Sequence, residues 1–177
     1  LVLRNADVFS SGEFDLGRTG LVKHHIDTGN NLPFKQQLRR HPMSYLPVID
    51  EHVQKMAAHG IIEPAMGPWA SNVVLVRKSD GCLRVCVDFR QLNGLTVKDS
   101  YALRRTDLCL EALGGAMYFS TLDCRQGYWQ IELDKDSADK TAFVTRKGLW
   151  KFKVLAFGLS NAPACLQRLI DLVLNGL

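Results

Sequence analysis

The sequence lacks any apolar run approaching the roughly 20 residues of a membrane-spanning helix. Its first residues also lack the pattern of a signal peptide, and no internal repeat or low-complexity segment occurs. These absences predict a soluble protein without a membrane partner. With 177 residues, 46% of them hydrophobic, the chain can form one domain or two small lobes with a core. A start at Leu1 and an end just after Asn175-Gly176 suggest an excerpt from a longer protein.

Cysteines are few and do not form a metal-binding pattern. The five are Cys82, Cys86, Cys109, Cys124 and Cys165. Their odd number and mostly apolar surroundings favour reduced, buried thiols in an intracellular protein over a disulfide framework. Cys82 and Cys86 have no nearby His or Cys partners and make a poor zinc site.

Charge of one sign is not in large excess, since 22 Lys and Arg oppose 18 Asp and Glu. The net charge of +4 permits a nucleic-acid partner but does not require one. Residues 1–40 contain scattered glycines and predict an extended arm with one strand near Leu21–Ile26. Within this arm, Asp27-Thr28-Gly29 has the tripeptide of aspartic proteases, but Asn30 and Asn31 follow it and favour a plain turn.

The next residues predict alternating helices and strands. Ile49, Val53 and Met56 recur at helical spacing from Tyr45 until Gly60, and residues 73–76 predict a strand. Leu83, Val85, Val87 and Phe89 alternate with Arg84, Cys86, Asp88 and Arg90 in a return strand after an Asp80-Gly81 turn. The resulting hairpin is either a phosphate clamp or a solvated face with an Arg/Asp pair.

The second half adds further elements and a second basic hairpin. The predicted elements are a short helix over residues 106–113, an acidic helical turn over 134–139, strands over 141–145 and 149–155, and a helix capped by Ser160 or Asn161. Strands and helices alternate without regular βαβ units, so the fold class is α+β.

A short β-prone run over residues 118–122 predicts a strand that places Asp123 at its end, before a turn presenting Tyr128 and Trp129. A carboxylate at a strand end suits a metal ion. The alternative is an Asp that caps the turn.

Several segments in this order resemble one family: residues 76–81 (VRKSDG) with Arg84, 87–93 (VDFRQLN), 113–116 (LGGA), 118–123 (YFSTLD), 140–143 (KTAF) and 157–163 (FGLSNAP). The stretch from about His25 to Leu177 resembles the reverse transcriptase of gypsy-type long-terminal-repeat retrotransposons. The resemblance implies a right-hand polymerase fold, truncated to fingers and the N-terminal part of the palm. After the arm, fingers would comprise 41–97 and 131–160, and palm 98–130 and 161–177.

The resemblance also implies roles for individual residues. Asp123, with the backbone carbonyl of Cys124, would hold Mg²⁺ or Mn²⁺. Arg84, with Arg77 or Lys78, would grip the phosphates of the incoming nucleotide. Tyr128 would exclude a ribose 2′-hydroxyl. Phe157 and Gly158 would form the floor of the nucleotide pocket, and Arg90 would lie near the template strand.

The implied reaction is template-directed DNA synthesis, in which two metal ions activate the primer 3′-hydroxyl and stabilise the leaving pyrophosphate. The implied partners are an RNA or DNA template-primer, deoxynucleoside triphosphates, and the protease, RNase H and integrase of a Pol polyprotein, in a cytoplasmic particle.

The sequence departs from the family pattern in one important respect. It contains no Asp-Asp pair, whereas the family joins its first aspartate with two adjacent ones. Ala102, Cys124 and Asn72 are further departures, which suggest a decayed copy. We therefore expect the isolated chain to be inactive. The alternative is a decayed or co-opted fragment that binds nucleic acid without catalysis.

Overall fold

The computed structural model describes residues 2–77, 79, 81 and 83–176. Lys78, which the family resemblance assigns to nucleotide binding, lies outside the described residues, as do Asp80 of the predicted turn and Cys82. The described strands are β1 (Thr19–His24), β2 (Ile62–Pro64), β3 (Ser71–Arg77), β4 (Leu83–Val87), β5 (Ile131–Leu133), β6 (Phe143–Thr145) and β7 (Gly148–Phe152). The described helices are α1 (Leu46–Ala58), α2 (Arg90–Leu95), α3 (Thr106–Glu111), α4 (Lys135–Lys140) and α5 (Ala162–Val173). Short 3₁₀ helices span Val2–Val8, Met43–Tyr45 and Gly127–Gln130.

A mixed sheet of strands in the order β2-β7-β6-β3-β4 forms the centre of the described structure. Strand β3 pairs antiparallel with β4 and parallel with β6, and β7 pairs antiparallel with both β6 and β2. The mixture of antiparallel and parallel pairing confirms the α+β class. Strands β2 and β5 were not predicted, since segments of three residues are too short to show a periodic pattern.

Helix α1 forms as its periodicity predicts. Ile49, Val53 and Met56 are buried on one face, and Pro47 lies in the first turn, where its missing N–H costs no hydrogen bond. Gly60 then adopts a φ of +67°, a conformation that glycine tolerates, and the chain turns into β2. Helix α1 thereby places its apolar face in the common core, with Phe143 and Phe152 of the sheet.

The N-terminal arm, residues 1–40, is partly integral to the fold. The predicted strand is confirmed as β1, which pairs in parallel with β5. Ile26 is fully buried beyond β1, so the arm is more than a linker. At Asp27-Thr28-Gly29 the Gly29 amide donates to the Asp27 side chain at 2.8 Å, which is the turn that the sequence favours.

The second hairpin, β6–β7, is confirmed, but its basic tip is anchored to the fold. The guanidinium of Arg146 donates to Asp50 of α1, and Lys147 Nζ lies 3.4 Å from the same carboxylate. The hydrogen bond from Arg146 holds the pKa of Asp50 below its usual value. Much of the positive charge at this tip is therefore neutralised within the chain.

The predicted strand over residues 118–122 is wrong for the described structure. This segment has no regular secondary structure, and Tyr118, Phe119 and Leu122 are 91%, 62% and 85% exposed. A β-prone sequence becomes a strand only when a neighbouring strand pairs its backbone groups, and the described residues place none beside it. The preceding helix is confirmed as α3, which is shorter than predicted, and its Leu108 and Leu110 are also exposed.

The predicted alternation of the first hairpin holds only as far as Val87. Strand β4 ends there, and Asp88 turns inward rather than onto the solvated face, with its amide donating to the Asn72 carbonyl at 2.8 Å. The prediction of buried thiols is likewise wrong for Cys109 and Cys124, which are exposed, whereas Cys165 is buried. The division into fingers and palm stays a prediction.

Candidate nucleotide-binding site

A pocket of ≈540 Å³ brings together residues that the sequence separates widely. Arg84 of β4 lines it together with Phe157 and Gly158 of the loop between β7 and α5. Arg84 is exposed and, within the described residues, its side chain has no ion-pair partner, so its guanidinium is available for an anion. Three of the predicted nucleotide-binding residues are thus assembled at one site.

The geometry of the Phe157–Gly158 loop depends on glycine and on α2. Gly158 has a φ of +90°, which L side chains rarely adopt. Asn93 of α2 donates from Nδ2 to the Gly158 carbonyl at 2.8 Å and accepts at Oδ1 from the Ser160 amide at 2.9 Å. Asn93 therefore fixes the loop from outside the pocket. In the sequence, Asn93 stood out only as the last residue of the segment 87–93 that resembles the family, and no role was predicted for it.

Tyr128 lies beside this pocket, in the 3₁₀ helix Gly127–Gln130. Its ring meets the ring of Phe157 edge-to-face at a centroid distance of 5.0 Å. Gln126, which precedes this helix and lines the pocket, has a φ of +46°, the only positive φ of a non-glycine residue in the described chain. Such a conformation costs about 1–2 kcal/mol and is found most often where a site demands it. Neither Gln126 nor its strain was predicted.

Arg77 is exposed at the end of β3, but the hairpin does not place it beside Arg84. The register pairs Val76 with Arg84 and Arg77 with Leu83. Because side chains that oppose each other across two strands share a face and successive ones alternate, Arg77 and Arg84 lie on opposite faces. Arg77 is also not among the residues that line the pocket.

Arg90, predicted to lie near the template, is engaged by Asp88. Its Nε and Nη2 donate to the two carboxylate oxygens of Asp88 at 2.8 and 2.7 Å, and Arg39 Nη2 lies 3.3 Å from the same carboxylate. The hydrogen bonds from Arg90 lower the pKa of Asp88 to about 2. The Arg/Asp pair predicted as one alternative for this hairpin is therefore present, while the Arg90 side chain remains 80% exposed.

Asp123 and Cys124 are exposed on the irregular segment that leads into the 3₁₀ helix. In the described residues, no hydrogen bond or ion pair engages the Asp123 carboxylate, and no cluster of three or more His, Cys, Asp or Glu side chains could hold a metal ion. Mg²⁺ prefers six oxygen ligands, of which at least one or two are carboxylates. One carboxylate with the neighbouring carbonyl of Cys124 therefore fits part of a divalent-metal site but does not complete one.

A family model described as "Reverse transcriptase (RNA-dependent DNA polymerase)" matches residues 76–177. The chain belongs to this family. The match begins at the end of β3 and covers Arg84 and Gly158 of the pocket, the aromatic pair Tyr128 and Phe157, and Asp123. None of the described helices of this reverse-transcriptase chain has the length and apolar character needed to cross a bilayer.

Relatives of this reverse-transcriptase chain include Pol polyproteins of transposons. It is 34% identical over 164 residues to the retrovirus-related Pol polyprotein from transposon 297 of Drosophila melanogaster, which covers 90% of the chain and 16% of that polyprotein. With the corresponding polyprotein from transposon gypsy it shares 32% identity over 180 residues, or 98% of the chain and 17% of the polyprotein. The chain thus spans about a sixth of the length of these relatives. These matches confirm the gypsy-type resemblance.

Solved structures confirm the fold. The prototype foamy virus protease-reverse transcriptase superposes with a TM-score of 0.87 at 22% identity, covering 99% of this chain and 24% of that one. The foamy viral enzyme in complex with an RNA/DNA hybrid gives a TM-score of 0.83 at 23% identity, covering 98% of this chain and 24% of that one. The polymerase fold is thereby shown over nearly the whole chain.

Proposed function

We propose that this chain is the fingers and first palm segment of a retrotransposon reverse transcriptase that carries out template-directed DNA synthesis on RNA or DNA. The observation that carries the proposal is the pocket lined by Arg84, Phe157 and Gly158, with Tyr128 against Phe157. The Arg84 guanidinium can bind the phosphates of a nucleoside triphosphate, because it is positively charged and can donate two parallel hydrogen bonds. The Phe157 ring and Gly158 form an apolar surface on which the sugar can pack.

Arg84, Phe157, Gly158 and Tyr128 have roles that their positions support. Arg84 is unpaired in the described structure, so it can neutralise phosphate charge without first breaking an ion pair. Phe157 and Gly158 bring a flat ring and bare backbone close to the ligand. Tyr128, held against Phe157, would occupy the space of a ribose 2′-hydroxyl. Lys78 or Arg77, the latter on the face of the hairpin opposite Arg84, would be the second phosphate contact, and Arg90 would contact the template while retaining its bond to Asp88.

Asp123 would contribute one carboxylate, and Cys124 one carbonyl, to the binding of Mg²⁺ or Mn²⁺. When bound, divalent ions would supply charge neutralisation and activation of the primer hydroxyl. A two-ion site needs carboxylates beyond Asp123, and the 177-residue sequence contains no Asp-Asp pair. We therefore propose that the isolated chain does not polymerise, and that activity needs further residues of a Pol polyprotein, acting with its protease, RNase H and integrase in a cytoplasmic particle.

Steady-state primer extension by a Pol reverse transcriptase that contains these residues tests the proposal. Arg84→Ala should raise the KM for a deoxynucleoside triphosphate by about 10-fold or more, because one charge-assisted phosphate contact contributes about 1.5–3 kcal/mol. Arg4→Ala, which removes an exposed arginine of the arm, is the matched control and should leave the KM unchanged. Equal KM values for wild type and Arg84→Ala would contradict the proposed phosphate contact.

A second candidate function is nucleic-acid binding without catalysis, as expected of a decayed or co-opted copy. The incomplete set of carboxylates around Asp123 favours it for the isolated chain. Fluorescence anisotropy with a labelled primer-template should then show binding that does not depend on the base sequence. The binding affinity should fall steeply as the salt concentration rises from about 50 to about 200 mM, because phosphate contacts are salt-dependent. Binding at low salt together with no primer extension by any Pol protein containing the chain would support this function.

A further inference from the structure

A continuous series of aromatic contacts links the N-terminal arm to the proposed nucleotide pocket. Phe14 stacks on His59 at a centroid distance of 4.3 Å and on Trp129 at 5.9 Å, with interplanar angles of 18° and 19°. Trp129 in turn meets Phe157 edge-to-face at 5.9 Å, and Phe157 meets Tyr128 at 5.0 Å. The arm therefore touches Trp129, which lines the pocket and contacts Phe157, the residue that meets the proposed sugar gate Tyr128.

The arm also binds the backbone of the same 3₁₀ helix. Arg18 Nη1 donates to the Trp129 carbonyl at 2.6 Å, and burial lowers the pKa of Arg18. Directly after Arg18 the chain enters β1, whose Thr19 is paired with Ile131 of β5. The arm is thus fixed to the backbone of Trp129 itself and to the strand that follows it.

The position of the Trp129 ring is set by packing. Its side chain is 6% exposed, and its Nε1 has no hydrogen-bond acceptor in the described structure. Without an acceptor to orient the indole, its ring contacts with Phe14 (stacked) and Phe157 (edge-to-face) help to set its position. Each aromatic pair contributes about 0.5–1.5 kcal/mol beyond buried area, which is enough to select one ring position. Glu13, next to Phe14, is itself one of the residues lining the pocket.

We infer that Phe14 and Arg18 are positioning residues of the nucleotide pocket. They hold Trp129 against Phe157 and thereby keep Tyr128 at the distance that excludes a ribose 2′-hydroxyl. This inference rests on the proposed function, and it assigns the control of sugar selectivity to an arm outside the pocket floor. Displacement of a positioning group by about 1 Å can change a rate by up to 100-fold, so loss of the Phe14 ring should be measurable.

The kinetic test uses a Pol reverse transcriptase that contains this chain, with dCTP and CTP as competing substrates. Phe14→Ala should reduce the ratio of kcat/KM for dCTP to that for CTP by about 10-fold. Phe14→Tyr keeps the ring and should restore the ratio. Phe9→Ala removes an exposed phenylalanine of the same arm and should leave the ratio unchanged. Phe14→Leu, which retains apolar volume without a ring, replaces Phe14→Ala if that variant does not fold.

A structural measurement separates this inference from the proposed function. The indole Nε1–H resonance of Trp129, assigned by its loss in Trp129→Phe, should shift in Phe14→Ala or Phe14→Leu and stay in place in Phe9→Ala. An unmoved indole resonance overturns the inference, as does a shifted resonance with an unchanged dCTP/CTP ratio. A wild-type enzyme that extends no primer refutes the proposed function, and the selectivity role of the arm falls with it, whatever the indole resonance shows.

Discussion

Asn93 and Gly158 are joined by a hydrogen bond of 2.8 Å from the side-chain amide of Asn93 to the Gly158 carbonyl. They lie far apart in the sequence, and Gly158 has a left-handed φ of +90°. A second bond, from the Ser160 amide to Asn93 Oδ1, fixes the other end of the loop. Helix α2, which the sequence did not predict, thus holds the floor of the proposed nucleotide pocket in place.

Replacement of Asn93 should loosen this loop. Asn93→Ala leaves the Gly158 carbonyl and the Ser160 amide without their partner, which should cost about 1–2 kcal/mol of unfolding free energy by urea titration. Asn93→Asp keeps the acceptor for Ser160 and loses only the donor to Gly158, so it should fall between wild type and Asn93→Ala. Equal stability of all three proteins would contradict the described role of Asn93.

Tyr128 should govern sugar selectivity if the pocket binds nucleotides as proposed. Tyr128→Ala removes the ring that stands against Phe157 and should admit ribonucleotides, with a gain in CTP incorporation of about 10-fold or more, since the exclusion is steric. Tyr128→Phe keeps the ring and serves as the control with wild-type selectivity. The measurement is single-nucleotide primer extension, and equal ribonucleotide incorporation by Tyr128→Ala and wild type would refute the assignment.

Asp88 should contribute to acid sensitivity in a defined window. Its pKa is lowered from 3.8 to about 2, chiefly by the side-chain hydrogen bonds from Arg90. Its contribution to stability is therefore fully present above the unfolded-state pKa and is lost as the pH falls through the folded-state value. The window extends from about pH 5 down to about pH 2. Urea titrations across it should show that the unfolding free energy decreases less with falling pH in Asp88→Asn than in wild type. Parallel curves of stability against pH for wild type and Asp88→Asn would contradict this role of Asp88.

His24 should act in a higher pH window than Asp88, with the same proton balance, because the unfolded chain binds the proton more readily in both cases. Burial lowers the pKa of this histidine from 6.5 to about 4. As the pH falls below 6.5, the unfolded chain takes up a proton that the folded chain does not, so stability falls until the folded pKa near 4 is reached. The total loss is about 3 kcal/mol at 1.36 kcal/mol per pKa unit. His24→Gln should flatten this part of the stability curve, and an unchanged slope between these two pH values would show that His24 is not buried in its neutral form.

Elements with strong local signals were predictable from the sequence. The spacing of Ile49, Val53 and Met56 before Gly60 predicted α1, and Pro163 after Asn161 predicted the start of α5. In each case the signal lies within one element. The capping interaction at α5 nevertheless differs from the prediction. The Asn161 side chain donates to the Val97 carbonyl and accepts from the Asp99 amide, and it does not cap its own helix.

Features set by distant partners could not be predicted. Residues 118–122 have β propensity, but propensity does not supply the neighbouring strand that a ladder needs. Asp88 was expected on a solvated face because strand alternation assigned it there, whereas β4 ends one residue earlier and the carboxylate turns toward Arg39 and Arg90. Phe14 is an isolated aromatic residue in a glycine-containing arm, and its contacts with His59 and Trp129 appear only in the fold.

The proposed polymerase function depends most directly on Asp123. In a Pol reverse transcriptase containing this chain, Asp123→Asn keeps the size of the side chain and removes its charge, so primer extension should fall by at least about 1,000-fold, or ~4 kcal/mol in activation free energy. Asp136→Asn, which neutralises an exposed carboxylate in the first turn of α4, should retain wild-type activity. Loss of activity in Asp123→Asn alone is the predicted result. Normal extension by Asp123→Asn would contradict the account, because Asp123 would then not be a metal-binding carboxylate.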